Sequence, residues 1–383
     1  MVLTVRLSID PLVLWVIPVS GLGGVARHVL DVARVKVPGF RVWFLCPPGP
    51  LAEALRELGA PVLTGEIGPQ FGTRTSVRTL RRTVSRLRPA IVHSHLAHAD
   101  VVAAVAMVGL PVKLVSTEHG IAGNDRVYHG NPIRQGVMAA VHTVRARRFA
   151  SLIAVAEATA AAMRAKWHVR DVTVILNGID RPDPVPGPVE RQAHSSVPER
   201  VDGGDPHADG QTAEMAPSLR VSSLARLSPE KGLPALLEAF AVLRRTHPQS
   251  TLTVAGEGPL HGELAAQAVR LGIGDSVTFP GFVDADELLS ETDVLVQLSV
   301  WENCSYALLD ALVAGVGVCA TPVGGNPEIL PPACLVSSAE PAEVAAVIAE
   351  QANPMNRPVL RDGWPTVAEM AGLIGAEYER VLR

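Results

Sequence analysis

The chain has 383 residues, 48% of them hydrophobic and 19% charged, enough for two domains that each bury a core. Aromatics make up only 4%, which argues against a base-stacking nucleic-acid platform and against an aromatic-lined sugar tunnel. The net charge of −4 hides an asymmetry: residues 1–180 carry 21 Lys and Arg against 11 Asp and Glu, a net +10, while residues 181–383 carry 13 against 27, a net −14. The first half is therefore suited to an anionic membrane surface or a phosphorylated acceptor.

In chain order the first half alternates short apolar runs with helical patterns. LVLWVIPV is followed by a helix from Gly24, RVWFLC by a helix from Leu51, PVLT by a helix from Ser76, and AIVHSH by a helix from Asp100. Then come VKLVST, a helical segment near 136–149, SLIAVA, a helix through Ala162, and VTVILN. The second half repeats the scheme with LRVSSLA, TLTVAG, SVTFPG, DVLVQL, GVGVCA and ACLV. Short apolar strands alternating with helices predict α/β architecture, here two doubly wound parallel-sheet, Rossmann-like domains over 1–180 and 218–365. Between them, residues 181–217 hold seven prolines and almost no apolar periodicity, which predicts a disordered linker or insertion. A final helix over about 366–383 is expected to cross back to the first domain. Four scattered cysteines, no signal-peptide pattern and no run of about 18 apolar residues predict a cytoplasmic protein, at most peripheral on the inner face of a membrane.

In open parallel sheets ligands bind beyond the carboxyl ends of the strands, so the residues after each strand carry the functional reading. Gly21-Leu22-Gly23-Gly24 after the first strand lets backbone N–H groups approach a diphosphate, although strand-to-helix turns use glycine anyway. Arg226 and Lys231 flank the turn after the second domain's first strand and are spaced to clamp a diphosphate. Gly256-Glu257-Gly258 and the loop at Phe282-Val283 offer backbone groups to a base. In WENCSYALLDAL, Glu302 precedes a helix whose first N–H groups, at Asn303, Cys304 and Ser305, attract an anion, and Asp310 is the only charge between Tyr306 and Thr321. A carboxylate in so apolar a stretch needs a partner, unless it points to solvent from a half-buried helix.

In this order the segments GGVARHV, HSH, TEHG, VILNGID, SLARLSPEKG, VAGEGP, ENCSYALLDAL and GGNPE resemble the retaining glycosyltransferases of family 4, with the GT-B architecture. The resemblance covers nearly the whole chain. It implies that Arg226 and Lys231 neutralise a donor diphosphate, that Glu302 contacts the transferred sugar, and that Asp310 contacts the nucleotide ribose. It also implies that Cys304, Ser305 and Tyr306 hold phosphate and sugar, that Gly23 and Gly24 approach from the opposite domain, and that His119 sits beside the reacting sugar. Asp310 is one methylene shorter than the family's usual Glu, and Ala156-Glu157 replaces a frequent Ser. The implied activity is transfer, with retention, from a UDP- or GDP-sugar to a hydroxyl acceptor, in cell-envelope, glycolipid or exopolysaccharide synthesis. A sugar phosphorylase on the same fold and a non-catalytic nucleotide-sugar-binding subunit stand as alternatives.

No cofactor and no metal are expected. Asp284-Ala285-Asp286 has the D-x-D form of a metal-binding donor motif, but Glu287 follows in a capping-box pattern, which predicts a helix cap. His93, His95 and His98 lack an acidic or cysteine ligand nearby, so His95 is expected to line the acceptor cleft and the other two to be structural. The stretch 74–88 sets Val77, Leu80, Val84 and Leu87 on one helical face amid six arginines, a pattern shared by membrane-surface helices and by ordinary sheet-covering ones. The expected partners are a nucleotide-sugar donor, a hydroxyl acceptor that is lipid-linked in one reading, and an anionic membrane surface, with no nucleic acid.

Overall fold

The computed structural model describes residues 10–121, 140–181 and 218–383. The expected linker at 181–217 lies outside the described residues except for Arg181, as do residues 136–139 of the helical segment expected near 136–149, in which residues 140–146 are helical.

Seven strands form the first sheet: β1 (Leu12–Val16), β2 (Arg41–Cys46), β3 (Val62–Thr64), β4 (Ile91–His95), β5 (Lys113–Glu118), β6 (Ser151–Ala154) and β7 (Thr173–Val174). Their order is β3-β2-β1-β4-β5-β6-β7, parallel throughout. The second sheet contains β8 (Arg220–Leu224), β9 (Thr251–Ala255), β10 (Val277–Gly281), β11 (Val294–Gln297) and β12 (Gly317–Ala320), in the order β10-β9-β8-β11-β12. Every residue of β4, β6, β11 and β12 is buried, so these segments do not alternate apolar with polar residues as a half-exposed strand would, and β4 buries His93, Ser94 and His95 along with its apolar residues. The expected sixth strand of this sheet, ACLV, is reduced to a single bridge from Leu335 to Ala320, because Pro332–Cys334 form a 3-10 turn in its place.

Both sheets reverse strand order beside their first strand, between β1 and β4 and between β8 and β11, where crevices open at the carboxyl ends. The helix Val367–Leu382 packs on the first sheet, burying Met370, Ile374, Tyr378 and Val381 among Val13, Trp15 and Val29. Trp15 Nε1 donates to Tyr378 Oη at 2.8 Å, and His93 Nδ1 lies 2.5 Å from the same oxygen. The last helix thus stiffens the strands that carry the first crevice. Four helix starts differ from expectation: the helices expected from Leu51, Ser76 and Asp100 begin earlier, at Pro50, Thr73 and Leu96, and the helix after Glu302 begins only at Tyr306. Among the described residues, no helix is long and apolar enough to cross a membrane.

Candidate active site

The carboxyl ends of the two sheets meet across a cleft, and side chains from both walls bond to one another. On the second wall, β11 leads into a turn whose Asn303, Cys304, Ser305 and Tyr306 are all buried. Glu302, at the mouth of this turn, is ion-paired with Lys231. Lys231 ends the 3-10 turn Pro229–Lys231, and Gly232 follows at φ 64°; a Cβ there would lie 2.0 Å from the Leu298 carbonyl oxygen. Only glycine lets the lysine turn pack this closely on the strand end that carries Glu302. Val300 N–H donates to the Glu230 carbonyl at 2.9 Å and completes the contact.

Arg226 holds a different partner. Its guanidinium bonds Glu230 at 2.8 Å, as does the Ser228 hydroxyl. Burial raises the Glu230 carboxyl, but the hydrogen bond from Ser228 and the charges of Arg226 and Lys231 more than offset it, so its pKa falls below the ordinary value. Arg226 keeps 72% of its side chain exposed and so remains available to an anion in the cleft. The loop of Gly256, Glu257 and Gly258 lies on the arginine's own turn. A Cβ at Gly256 would meet the Ala225 carbonyl at 2.0 Å, and one at Gly258 would meet Leu227 O at 2.4 Å. Phe282 is exposed and Val283 half-buried at the next strand end.

Asp310 faces the first wall, 3.6 Å from the guanidinium of Arg27, which also bonds Asp31 at 2.9 Å and lies over the Tyr306 ring. Only 10% of the Asp310 side chain is exposed. Burial pushes its pKa up to about 6, with Arg27 pulling down and Asp286 and Asp31 pushing up, so desolvation outweighs the ion pair. Arg27 follows the glycine turn. A Cβ on Gly21 or Gly23 would meet open space and Gly23 is extended, so neither packing nor backbone strain requires glycine there. Gly24 begins the helix, and its added Cβ would sit 4.0 Å from the Tyr306 ring.

His119 follows β5 on the first wall. Its Nε2 lies 2.9 Å from His95 Nδ1, and His28 packs edge-on against it at 4.8 Å between ring centres. His95, expected to line the cleft, is instead fully buried against Trp15, because β4 points it under His119. Burial lowers His95 and His119 well below the ordinary imidazole range and His28 to about 4, so all three are neutral at pH 7. Beneath them Glu118, buried and pushed up to about 8 by desolvation, bonds Arg145 at 3.2 Å, and Gly120 N–H donates to the same carboxyl at 3.4 Å. Arg145 also pairs with Asp100. This network fixes the end of β5, and with it His119.

Several residues that tie the walls together are not assigned by the sequence reading. Asn177 takes His28 Nδ1 at 3.2 Å on one side and donates to the Cys304 carbonyl at 2.9 Å on the other. Thr159 donates at 2.7 Å to Oδ1 of Asn303, which the sequence reading did assign to the donor. Glu328 accepts from the Glu157 and Ala158 N–H groups at 2.9 and 2.7 Å, capping the helix Glu157–Trp167 from the opposite domain, which explains why Ala156 suffices where a capping Ser is usual. Gly324 and Gly325 press on the Glu302–Asn303 backbone: added Cβ atoms would lie 1.7 Å from Glu302 O and 2.1 Å from Asn303 O. The GGNPE string was the visible signal for these glycines and Glu328, and NGID the signal for Asn177. The D-x-D string is a cap: Asp284 accepts from the Asp286 and Glu287 N–H groups, both at 3.0 Å, at the start of Ala285–Ser290.

Residues 22–181 match the Glycosyltransferase Family 4 model and residues 211–350 match Glycosyl transferases group 1. A 2-deoxystreptamine glucosyltransferase of Streptomyces kanamyceticus is 27% identical over 73% of this chain and 73% of its own length. A glycogen synthase of Mycobacterium tuberculosis is 27% identical over 88% of this chain and 84% of its own. Among solved structures, Anabaena HepE in complex with UDP-glucose shares the fold with a TM-score of 0.70 at 20% identity, covering 96% of this chain and 95% of that one. Sucrose-phosphate synthase from Thermosynechococcus elongatus does so at 0.68 and 17%, covering 96% and 98%. With one model on each sheet domain and the motif loops of both facing one cleft, the chain belongs to the GT-B glycosyltransferases of family 4, with a group 1 second domain.

Proposed function

We propose that this protein moves a sugar from a nucleotide diphosphate sugar to a hydroxyl acceptor with retention of configuration and without a metal. The observation that carries the reading is the pair of cleft carboxylates, Glu302 and Asp310, each nearly buried and each held by a cation, Lys231 from its own wall and Arg27 from the other. In this reading the donor takes over these partners. The diphosphate lies between Lys231 and Arg226, the sugar meets Glu302, and the ribose hydroxyls meet Asp310. The bond from the anomeric carbon to the diphosphate oxygen breaks while the acceptor oxygen bonds on the same face, and the acceptor proton passes to the departing phosphate. The two cations stabilise the charge that develops on that phosphate, in a site already organised to receive it. HepE, crystallised with UDP-glucose, supports a UDP-sugar as the first donor to try.

Transfer is expected to survive EDTA, because Arg226 and Lys231 neutralise the diphosphate and the D-x-D carboxylate caps a helix. Loss of activity in EDTA, restored by magnesium or manganese, would contradict this, and the anomeric configuration of the product by NMR tests retention.

Asp310 gives a pH signature. Its carboxylate form accepts the ribose hydroxyls, so affinity for a nucleotide diphosphate sugar is expected to weaken as pH falls through about 6. Stability runs the other way: a carboxyl whose folded pKa lies above its ordinary 3.8 binds its proton more tightly when folded, so its unfavourable contribution fades as pH drops through the same window. Calorimetric titrations from pH 5 to 8 (roughly a unit or more on either side of that value) should show the trend in the native protein and a flat profile in Asp310→Asn.

A membrane-presented acceptor is the preferred class. An alpha-monoglucosyldiacylglycerol synthase of Streptococcus pneumoniae is 36% identical over 27% of this chain, and the helix Thr73–Leu87 carries an arginine-rich outer face. Leu80 and Val84 are buried in the sheet-covering core with Val77 and Leu87 packed beside them, and Arg81 donates to the Ala106 and Val108 carbonyls, so it belongs to the fold. Of the other exposed arginines, Arg78, Arg82 and Arg86 share one surface of the helix and are the groups proposed to meet lipid. Sedimentation with anionic vesicles should fall with added salt and with the triple change of these three to Gln. Indifference to anionic vesicles at low salt would end the membrane reading.

A further inference from the structure

We propose that His28, His95 and His119 form a three-imidazole site for a borderline transition metal of the Zn2+ class, on the first-domain wall of the cleft. Sequence spacing does not show it, because the three come from different elements: the helix Gly24–Val35, the end of β4 and the loop after β5. The fold brings one nitrogen of each within 4.8 Å of the others. His95 Nδ1 and His119 Nε2 are already 2.9 Å apart, and two imidazole nitrogens on one tetrahedral zinc sit about 3.3 Å apart at bond lengths of about 2.0–2.1 Å. Small ring rotations admit an ion between them.

Two further observations point to a ligand. His28 Nε2 is buried without a hydrogen-bond partner, an arrangement that costs free energy unless something supplies a bond. His28 Nδ1 is also fixed on Asn177 Oδ1, which as an acceptor sets the Nδ1–H tautomer and leaves the Nε2 lone pair for a metal. The ligand set is all nitrogen with no carboxylate, so it suits zinc, cobalt, nickel or copper and does not suit magnesium, calcium or manganese. His119 alone of the three has exposed surface, so the open coordination position lies on its side. Such a site is compatible with metal-independent transfer. If the proposed function holds, a metal there occupies the nitrogen beside the reacting sugar, and micromolar zinc inhibits transfer until EDTA removes it.

Binding is tested without reference to activity. The untagged full-length protein, stripped with chelator, is titrated with Co2+ and followed by visible absorption. One equivalent should produce the intense bands of a four- or five-coordinate nitrogen site, millimolar Mg2+ should not compete, and His28→Ala should weaken binding at least tenfold while the far-ultraviolet circular dichroism is unchanged. X-ray absorption of the native protein with one equivalent of zinc gives an answer that does not depend on any variant: about three nitrogens at 2.0–2.1 Å and no sulfur. A sulfur-containing or all-oxygen shell, or unchanged affinity in a folded His28→Ala protein, overturns the site. Zinc that binds as expected but does not inhibit leaves the site standing and counts against the placement of the sugar beside His119.

Discussion

Glu302→Gln is expected to lower transfer by at least about 100-fold, the usual cost of removing one electrostatic stabiliser from a preorganised site, while nucleotide affinity stays within about threefold. Gln retains the shape and hydrogen-bonding atoms of the side chain and loses its charge. The sugar therefore loses its anionic partner, whereas Lys231, released from its ion pair, still faces the diphosphate. Turnover and calorimetric affinity measured on the same preparation separate the two effects. A variant with native turnover would remove Glu302 from the mechanism, and one that no longer binds nucleotide would place Glu302 on the diphosphate side of the donor.

Gly324→Ala is expected to be nearly as damaging, through geometry instead of charge. Gly324 sits at φ 53°, and a Cβ there would lie 1.7 Å from the Glu302 carbonyl oxygen, so the strand end that carries the carboxylate must move. A shift of about 1 Å in a reacting group costs on the order of 100-fold in rate, and the strained backbone costs about 1–3 kcal/mol in stability. Gly315→Ala is the control. Gly315 has a similar φ of 64° with nothing within 4 Å of an added Cβ, so it should lose stability through the backbone alone and keep full turnover. Equal turnover in the two variants would show that the Gly324 contact does not position Glu302.

These two residues mark the limit of what the sequence could reveal. The strands were legible because a parallel sheet covered on both faces demands mostly apolar runs, and every residue of β11 and β12 is indeed buried. Glu302 and Asp310 were legible because charge in or beside such runs is costly unless it serves a ligand or partner, and Arg226 and Lys231 because they flank a turn at the carboxyl end of a strand. Their partners were not, since pairing depends on which loops the fold brings face to face. Arg27 meets Asp310 across the cleft, and Arg226 bonds the neighbouring Glu230 rather than acting as half of an isolated pair. His95 looked like a cleft residue because it ends a strand, yet the direction of that strand's last side chain buries it under His119. The helix after Glu302 looked as if it began at once, but Asn303, Cys304 and Ser305 form a turn whose side chains and carbonyls are taken by Thr159, Asn177 and Gln297. Helical propensity gives way there to contacts from the other domain and from β11.

The central claim, that the cleft binds a nucleotide diphosphate sugar through Lys231 and Asp310, is tested most directly by thermal unfolding with a panel of nucleotide diphosphates and their sugars. One base should stabilise the native protein, by about 2.7 kcal/mol at a hundred times its dissociation constant. The shift should nearly vanish in Lys231→Ala, shrink in Asp310→Ala and persist in Glu302→Gln. If no nucleotide or nucleotide sugar shifts the native transition at millimolar concentration, or if Lys231→Ala responds like the native protein, the donor does not lie where these residues would hold it.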